Sequence, residues 1–168
     1  ALAATKNGRI GMIATQASVR SGAYERTLRA LDPAVTVIQK ACPLFVPLAE
    51  EGRTRPGDPV IETVAEEYLA SLRQEGIDTL ILGCTHYPLL KDVIANVMGP
   101  GVALIDSGEE SAKELQRLLT ASDSLGEPQG GGAIYCVSDR VEDFQRLASR
   151  FLGEDVAGAA RRVEVEDV

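Results

Sequence analysis

The sequence predicts an α/β fold with parallel strands and helices on the faces of the sheet. Two observations carry this. Short apolar runs alternate with longer amphipathic ones, and the longer ones repeat their apolar residues at helical spacing. The clearest junction is T-L-I-L-G-C-T-H-Y-P-L-L-K-D-V-I, Thr79 to Ile94. There a β-rich run ends on glycine, and helical spacing starts again directly after a proline.

Taken in order, Arg9–Ala14 reads as a strand and Ser21–Leu31 as a helix. Val35–Ala41 is β-rich. Pro59–Glu75 predicts a helix with Val60, Ile61, Val64, Tyr68, Leu69 and Leu72 on one face. Thr79–Leu82 is a strand, and Pro88–Met98 a helix carrying Leu89, Leu90, Val93, Ile94, Val97 and Met98 at helical spacing. Val102–Ile105 is another short strand. The helix after it starts at Ser107 with Glu110 three residues on, the spacing of a capping box. The glycine-rich segment Ser122–Gly132 predicts an exposed loop. Beyond it, Ala133–Val137 reads as a strand and Arg140–Leu152 as a helix with Phe144, Leu147, Ala148 and Phe151 inward. Val163–Val165 fits a short edge strand.

At 168 residues, 45% hydrophobic and 25% charged, the chain can bury a real core, as one domain or a domain plus part of another. A net charge of −8 and a pI near 4.7 argue against a nucleic-acid or anionic-membrane surface, which needs a basic patch to release counterions. No run approaches the roughly 20 apolar residues of a membrane span. The N-terminus A-L-A-A-T-K-N-G lacks the regions of a signal peptide. Three widely separated cysteines, an odd number, point to a reducing compartment and not to a disulfide framework. A cytoplasmic location is expected.

In an open α/β sheet, ligands bind beyond the carboxyl ends of the strands. Three such ends carry polar or reactive groups: Thr15-Gln-Ala-Ser18, Ala41-Cys-Pro and Gly83-Cys-Thr-His86. Cys84 is the sharpest candidate. Glycine before it permits close approach of a ligand, and a following helix start supplies free N–H groups and a positive dipole end that favour a thiolate. The same amides, with the Thr85 hydroxyl, suit a substrate carboxylate. His86, the single histidine, is placed to donate to a bound acid or to tune the thiol. The same letters also fit a buried structural cysteine with a capping threonine and a surface histidine. Cys42 reads as a buried, inert thiol and Cys136, mid-strand in A-I-Y-C-V, as core. Glu50 closes P-L-F-V-P-L-A-E-E-G, which fits either a solvated turn or a carboxylate held near the crevice. No Cys-x-x-Cys or His-rich companion supports a metal site.

With these residues in view, the chain resembles the glutamate racemases of the aspartate/glutamate racemase superfamily. The carriers are G-C-T-H-Y-P-L-L at Gly83–Leu90 and I-G-M-I-A-T-Q-A-S-V-R-S-G-A-Y-E at Ile10–Glu25. K-A-C-P-L-F-V-P-L-A-E at Lys40–Glu50 and L-I-D-S at Leu104–Ser107 add to them. The likeness weakens after Ser122. The resemblance implies cofactor-independent interconversion of L- and D-glutamate by two cysteines on opposite faces of the substrate, supplying D-glutamate for peptidoglycan. It assigns catalysis to Cys84 with His86 and Glu50, and substrate contact to Thr85 and His86; Thr15 and Ser18 join them as candidates from their place at a strand end. It implies no cofactor and no metal, glutamate as the small-molecule partner, and a homodimer as a family habit. Two facing α/β domains follow, one of them split, so residues 1–106 are expected to be a complete inserted domain and 107–168 the returning half of the split one.

The chain departs from the family in one respect. The usual Asp-Ser-Gly loop and the Cys-Asn-Thr segment with the first cysteine do not occur in it. Cys42 does not fill that place, because Lys-Ala-Cys-Pro matches a different family position. The expectation is a partial chain that does not racemise alone. Two rivals stand: a relative acting on aspartate, hydantoins or maleate, disfavoured by His-Tyr-Pro-Leu-Leu after Cys-Thr, and a non-catalytic amino-acid-binding module.

Overall fold

A strand buried on both faces reads as a near-continuous apolar run, and T-L-I-L at Thr79–Leu82 is buried throughout, its one polar side chain, Thr79, donating to Asp78 Oδ1 at 3.1 Å. It is β3 of a four-stranded parallel sheet whose other strands are β1, Arg9–Ala14, β2, Thr36–Ala41, and β4, Ala103–Asp106. The order is β2-β1-β3-β4, so the chain reverses its direction of travel across the sheet between β1 and β3. The computed structural model describes residues 1–126, 132–156 and 158–164. The chain divides into two compact units, Ala1–Arg117 and Leu118–Val168.

In the first unit, side chains alternate across the sheet as the period of two requires. Ile13, Leu80 and Leu82 enter a larger core cluster, while Ile10, Met12 and Ile81 enter a smaller one. The larger cluster is closed by α3, Phe45–Glu50, α4, Pro59–Gln74, a 3₁₀ turn at Tyr87–Leu90 and α5, Lys91–Met98. The smaller is covered by α1, Gln16–Ser21, and α2, Ala23–Leu31. A Cβ at Gly11 would lie 2.4 Å from Ile77 Cδ1, so the tip of Ile77 would have to shift to admit one.

Several expectations need correction. The segment after β1 is not a plain turn: Thr15 caps α1, and Gly22 in the left-handed region (φ 62°) separates it from α2. Helix α3 was hidden by its proline, but Pro47 falls in the first helical turn, where the missing N–H has no intrahelical partner to lose. Pro88 delays the next helix, so Tyr87–Leu90 is 3₁₀ and α5 begins only at Lys91. In α4, Val60 is 43% exposed at the first turn, and Ala65 takes an inner position in its place. Helix α6, Ser107–Ala121, is capped not by Ser107 but by Asp106, whose Oδ1 accepts the amides of Gly108 (2.8 Å) and Glu109 (3.1 Å).

The second unit holds β5, Tyr135–Val137, α7, Val141–Leu152, and β6, Ala160–Arg162, with β5 and β6 paired in parallel. The edge strand thus ends before Val163, although the Val163 amide still donates to Val137 O at 2.9 Å; Val165 lies outside the described residues, as does 127–131 of the expected loop. Cys136 is exposed, contrary to expectation, because a two-stranded sheet leaves the residue between half-buried Tyr135 and Val137 on an open face. Phe151 is 38% exposed and Phe144 half-buried, and α7 fully buries no residue. Among the described residues, no helix is long and apolar enough to cross a membrane.

Candidate active site

All four strands of the larger sheet run parallel, so their carboxyl ends share one edge, and a cavity of about 520 Å³ opens there. It sits at the β1/β3 reversal, the topological switch point of the sheet. The end of β1 contributes Thr15, with Ser18 from α1 and Tyr24 from α2. The end of β3 contributes Gly83, Cys84 and Thr85, with Pro88 just beyond, and the end of β4 contributes Asp106, with Ser107, Gly108 and Ser111 from the helix that follows, Ser107–Ala121. Thr15, Ser18, Cys84 and Thr85 are therefore brought together as expected from the sequence.

The β3 turn is held from below by aromatics. Tyr87 is fully buried, its hydroxyl donates to Cys42 O at 2.9 Å, and its ring stands edge-on to Phe45 with centroids 5.4 Å apart. Phe45 packs edge-on against Tyr68 in turn, at 5.3 Å. That arrangement answers why Tyr-Pro follows Cys-Thr-His at once: the tyrosine anchors the turn to the β2 end while proline redirects the chain. Burial pushes the Tyr87 hydroxyl far above the usual phenol range. Gly83 is explained by packing too. A Cβ there would meet Ile13 O at 3.0 Å and Met12 Sδ at 3.1 Å, so glycine lets β3 lie close to β1, and the ligand-approach argument is not needed.

The three cysteines separate cleanly. Cys42 is wholly buried, and burial pushes its thiol up to about 12 against the weaker opposing influence of Lys40. It is inert at neutral pH. Cys136 lies in the second unit with Arg161 Nε 3.5 Å from its sulfur. Cys84 alone lies on the cavity wall, partly exposed. The long helix expected immediately after it is replaced by the 3₁₀ turn, so whatever backbone polarisation it feels comes from a single turn, not a long macrodipole.

Behind Cys84 stands a chain of polar contacts. His86 Nδ1 is 3.9 Å from Cys84 Sγ and 3.4 Å from Thr85 Oγ1, and His86 Nε2 is 3.1 Å from Glu50 Oε1. With the proton on Nε2 donated to Glu50, Nδ1 presents its lone pair toward the thiol. In that tautomer the ring can accept a proton from Cys84, and Glu50 stabilises the imidazolium that results. Glu50 and His86 do not line the cavity; they reach it through the sulfur. Glu50 gets there because α3 ends beside the β3 turn, a placement invisible while α3 is unrecognised. Thr15 and Ser18 face the cavity with hydroxyls 3.2 Å apart, and Thr15 Oγ1 also accepts the Ser18 amide at 3.3 Å. Thr15 is thus a helix-capping group as well as a cavity group.

Asp106, Ser107, Gly108 and Ser111 were missed as site residues. The signal was available: L-I-D-S ends the fourth parallel strand, and strand ends meet at one edge. Ser107 Oγ donates to Leu82 O at 2.7 Å, which ties the start of α6 to the end of β3. Among the described residues, no three His, Cys, Asp or Glu side chains gather as metal ligands do.

Comparison with known proteins agrees with this geometry. The family model of Asp/Glu/hydantoin racemases matches residues 1–115. A glutamate racemase from Geobacter metallireducens is 46% identical over 154 residues, which is 91% of this chain and 56% of that protein. A crystal structure of a glutamate racemase isoform from Bacillus anthracis superposes with a TM-score of 0.87 at 34% identity, covering 98% of this chain and 60% of the other. That of a Francisella tularensis glutamate racemase in complex with D-glutamate gives 0.84 at 32% identity, covering 96% and 59%. The chain therefore spans between half and two thirds of the length of these relatives. A parallel sheet with a Gly-Cys-Thr-His turn at its switch point, and a family model that matches through the start of α6, lead to one assignment: the chain belongs to the Asp/Glu/hydantoin racemase family.

Proposed function

We propose that this chain contributes one side of a glutamate racemase site, with Cys84 as the acid–base group for one face of the substrate α-carbon. The observation that carries this is the exclusive position of the Cys84 sulfur among the three thiols: on the cavity wall and backed by His86 and Glu50. In the forward step the Cys84 thiolate takes the α-proton, and the electron pair left on carbon is delocalised into the adjacent carboxyl group. In the reverse step the Cys84 thiol returns a proton to the same face. Inversion needs a second acid on the opposite face, a role that buried Cys42 does not fit. Thr85, Thr15 and Ser18 are the candidate substrate contacts, and His86, off the cavity wall, acts through Cys84. Glutamate is favoured over aspartate or hydantoins by the names of the relatives, and D-glutamate for peptidoglycan is the corresponding product. A cytoplasmic homodimer, with residues 1–106 as the inserted domain and 107–168 as the returning half of a split one, completes the reading.

The test uses the purified chain with L-glutamate, with chiral assay of D-glutamate and ¹H NMR in D₂O. The expected outcome is no D-glutamate, with any α-deuteration lost in Cys84→Ser. Racemisation at rates typical of an enzyme, on the order of 1 s⁻¹ or more, would overturn the one-sided reading. A second reading, an amino-acid-binding module without chemistry, is favoured by the lone cavity thiol. Glutamate binding without deuteration, unchanged by Cys84→Ser, would establish it.

A further inference from the structure

The polar contacts behind Cys84 span two elements that meet only in the fold. Cys84 and His86 sit on the turn after β3, whereas Glu50 is the last residue of α3. The contact of His86 Nε2 with Glu50 Oε1 at 3.1 Å therefore needs the turn and the helix held in one register. A single backbone oxygen joins them. Cys42 O, just past β2, accepts the Tyr87 hydroxyl at 2.9 Å and the Phe45 amide at 3.1 Å. A carbonyl has two lone pairs, and these two donors use both. Phe45 opens α3, where an amide has no acceptor within the helix. Tyr87 closes the Cys84 turn, its own amide donating to Cys84 O at 3.1 Å. Cys42 is itself fixed to β1, its amide donating to Ala14 O at 2.9 Å.

Removing the Tyr87 hydroxyl changes position and not charge. The buried phenol ionises far above neutral pH, so it is uncharged there. The titratable groups around the Cys84 thiol are His86 on its own turn, Glu50 behind His86, Asp106 and Tyr24 on the cavity wall, and Tyr87 with Cys42 beneath. Tyr87→Phe leaves the charge of each as it was at neutral pH, and it keeps a ring against Phe45. A change in the behaviour of Cys84 in that variant is therefore a change of geometry.

We infer that Tyr87 is a positioning residue for the Cys84 acid–base group: through the Cys42 carbonyl its hydroxyl locks the Cys84 turn to the start of α3 and so keeps Glu50 on His86. This role rests on the acid–base reading of Cys84 given above and adds one residue that acts behind it. The experiment follows alkylation of Cys84 by iodoacetamide against pH, in purified chain carrying Cys136→Ser so that buried Cys42 is the other thiol. Glu50→Gln is expected to move the midpoint of the rate curve to higher pH, because an imidazolium without its carboxylate is harder to form from the thiol proton. Tyr87→Phe is expected to move it the same way, with alkylation at neutral pH slower by about twofold to tenfold. The double variant is expected to go no further than Glu50→Gln alone, since the hydroxyl acts through that contact. Leu72→Ala, which removes buried surface from the same core and none of these hydrogen bonds, is expected to lower the melting temperature and leave the midpoint in place. An unmoved midpoint in Tyr87→Phe beside a shifted one in Glu50→Gln, additive shifts in the double variant, an equal shift in Leu72→Ala, or labelling of Cys42 in Tyr87→Phe would each overturn the positioning role and leave the acid–base reading standing. An unmoved midpoint in Glu50→Gln would overturn that reading, and the role of Tyr87 with it.

Discussion

The two units of this chain solve the burial problem with unequal means. Among the described residues, every buried apolar side chain except Val156 belongs to Ala1–Arg117. There a four-stranded parallel sheet is covered by helices on both faces, as parallel sheets require. Within Leu118–Val168 the described sheet has two strands, α7 fully buries nothing, and Tyr135 and Phe144 make a tilted aromatic pair at 5.7 Å. A two-stranded sheet depends on a helix packed against it for its stability, and α7 buries none of its residues fully. The lesson concerns the site. Cys84 sits on the rigid unit, and its turn is pinned by Tyr87 from the core side and by Ser107 from the α6 side. Acid–base chemistry at a fixed carbon tolerates little misplacement, and the well-packed unit is the one that can supply that precision.

Truncating one large side chain in each unit tests this contrast most strongly. Leu82 is fully buried at the end of β3, so Leu82→Ala is expected to cost about 2–5 kcal/mol of unfolding free energy. Phe144 is only half-buried, and Phe144→Ala is expected to cost about 1–2 kcal/mol or less. Urea unfolding of both variants measures the difference. Native-state hydrogen exchange sharpens it: amides of β1 and β3 are expected to exchange only on global unfolding, and those of Tyr135–Val137 rapidly. Equal costs together with strong protection of β5 would erase the contrast.

A smaller effect separates packing from ligand approach at the site itself. Gly83→Ala places a methyl 3.0 Å from Ile13 O, which is backbone and cannot rotate away. Separation of β3 from β1 follows, and overpacking of this kind costs about 1–3 kcal/mol. The cost is expected without any ligand, read as a lower melting temperature together with a changed alkylation rate at Cys84. A variant as stable as wild type that merely lost glutamate binding would restore the view that Gly83 serves the ligand.

Much of the rigid unit was legible in the sequence, because its strands are continuous apolar runs and its longest helix repeats with a clear period. β1 and β3 match their expected bounds. The parts that were hidden share a physical cause: they depend on what the chain packs against. Pro47 disguised α3, and with it the route that brings Glu50 to His86. Asp106 outcompeted Ser107 as a cap because it precedes the helix and reaches two amides at once. Cys136 was expected in the core because its neighbours are apolar, yet apolar neighbours bury a residue only if something covers them. The candidate site was half legible: Cys84 and its neighbours announced themselves by chemistry, whereas the β4 contribution was visible only through topology.

The smallest expected effect tests what fastens the N-terminal segment to the rigid unit. Asp78 accepts the Thr5 hydroxyl at 2.6 Å and the amides of Lys6 and Asn7 at 2.7 Å each, with Thr79 Oγ1 at 3.1 Å. The Thr5 hydrogen bond first, then those of the two amides and Thr79, hold the carboxyl down to about 2, below its ordinary 3.8. A carboxyl depressed in the folded state stabilises the fold above its unfolded value, and that contribution fades as pH falls from 3.8 through about 2. Asp78→Asn cannot ionise, so the stability difference between wild type and variant is expected to be full at neutral pH, to fade through about pH 2 and to vanish only below it. Amide exchange at Lys6 and Asn7 is expected to quicken over the same interval in wild type alone. A difference that persisted unchanged to the acid end would mean that the fastening depends on shape and not on charge, and the rigid unit would then hold its N-terminal segment by packing of Ala1 and Leu2 against the smaller core.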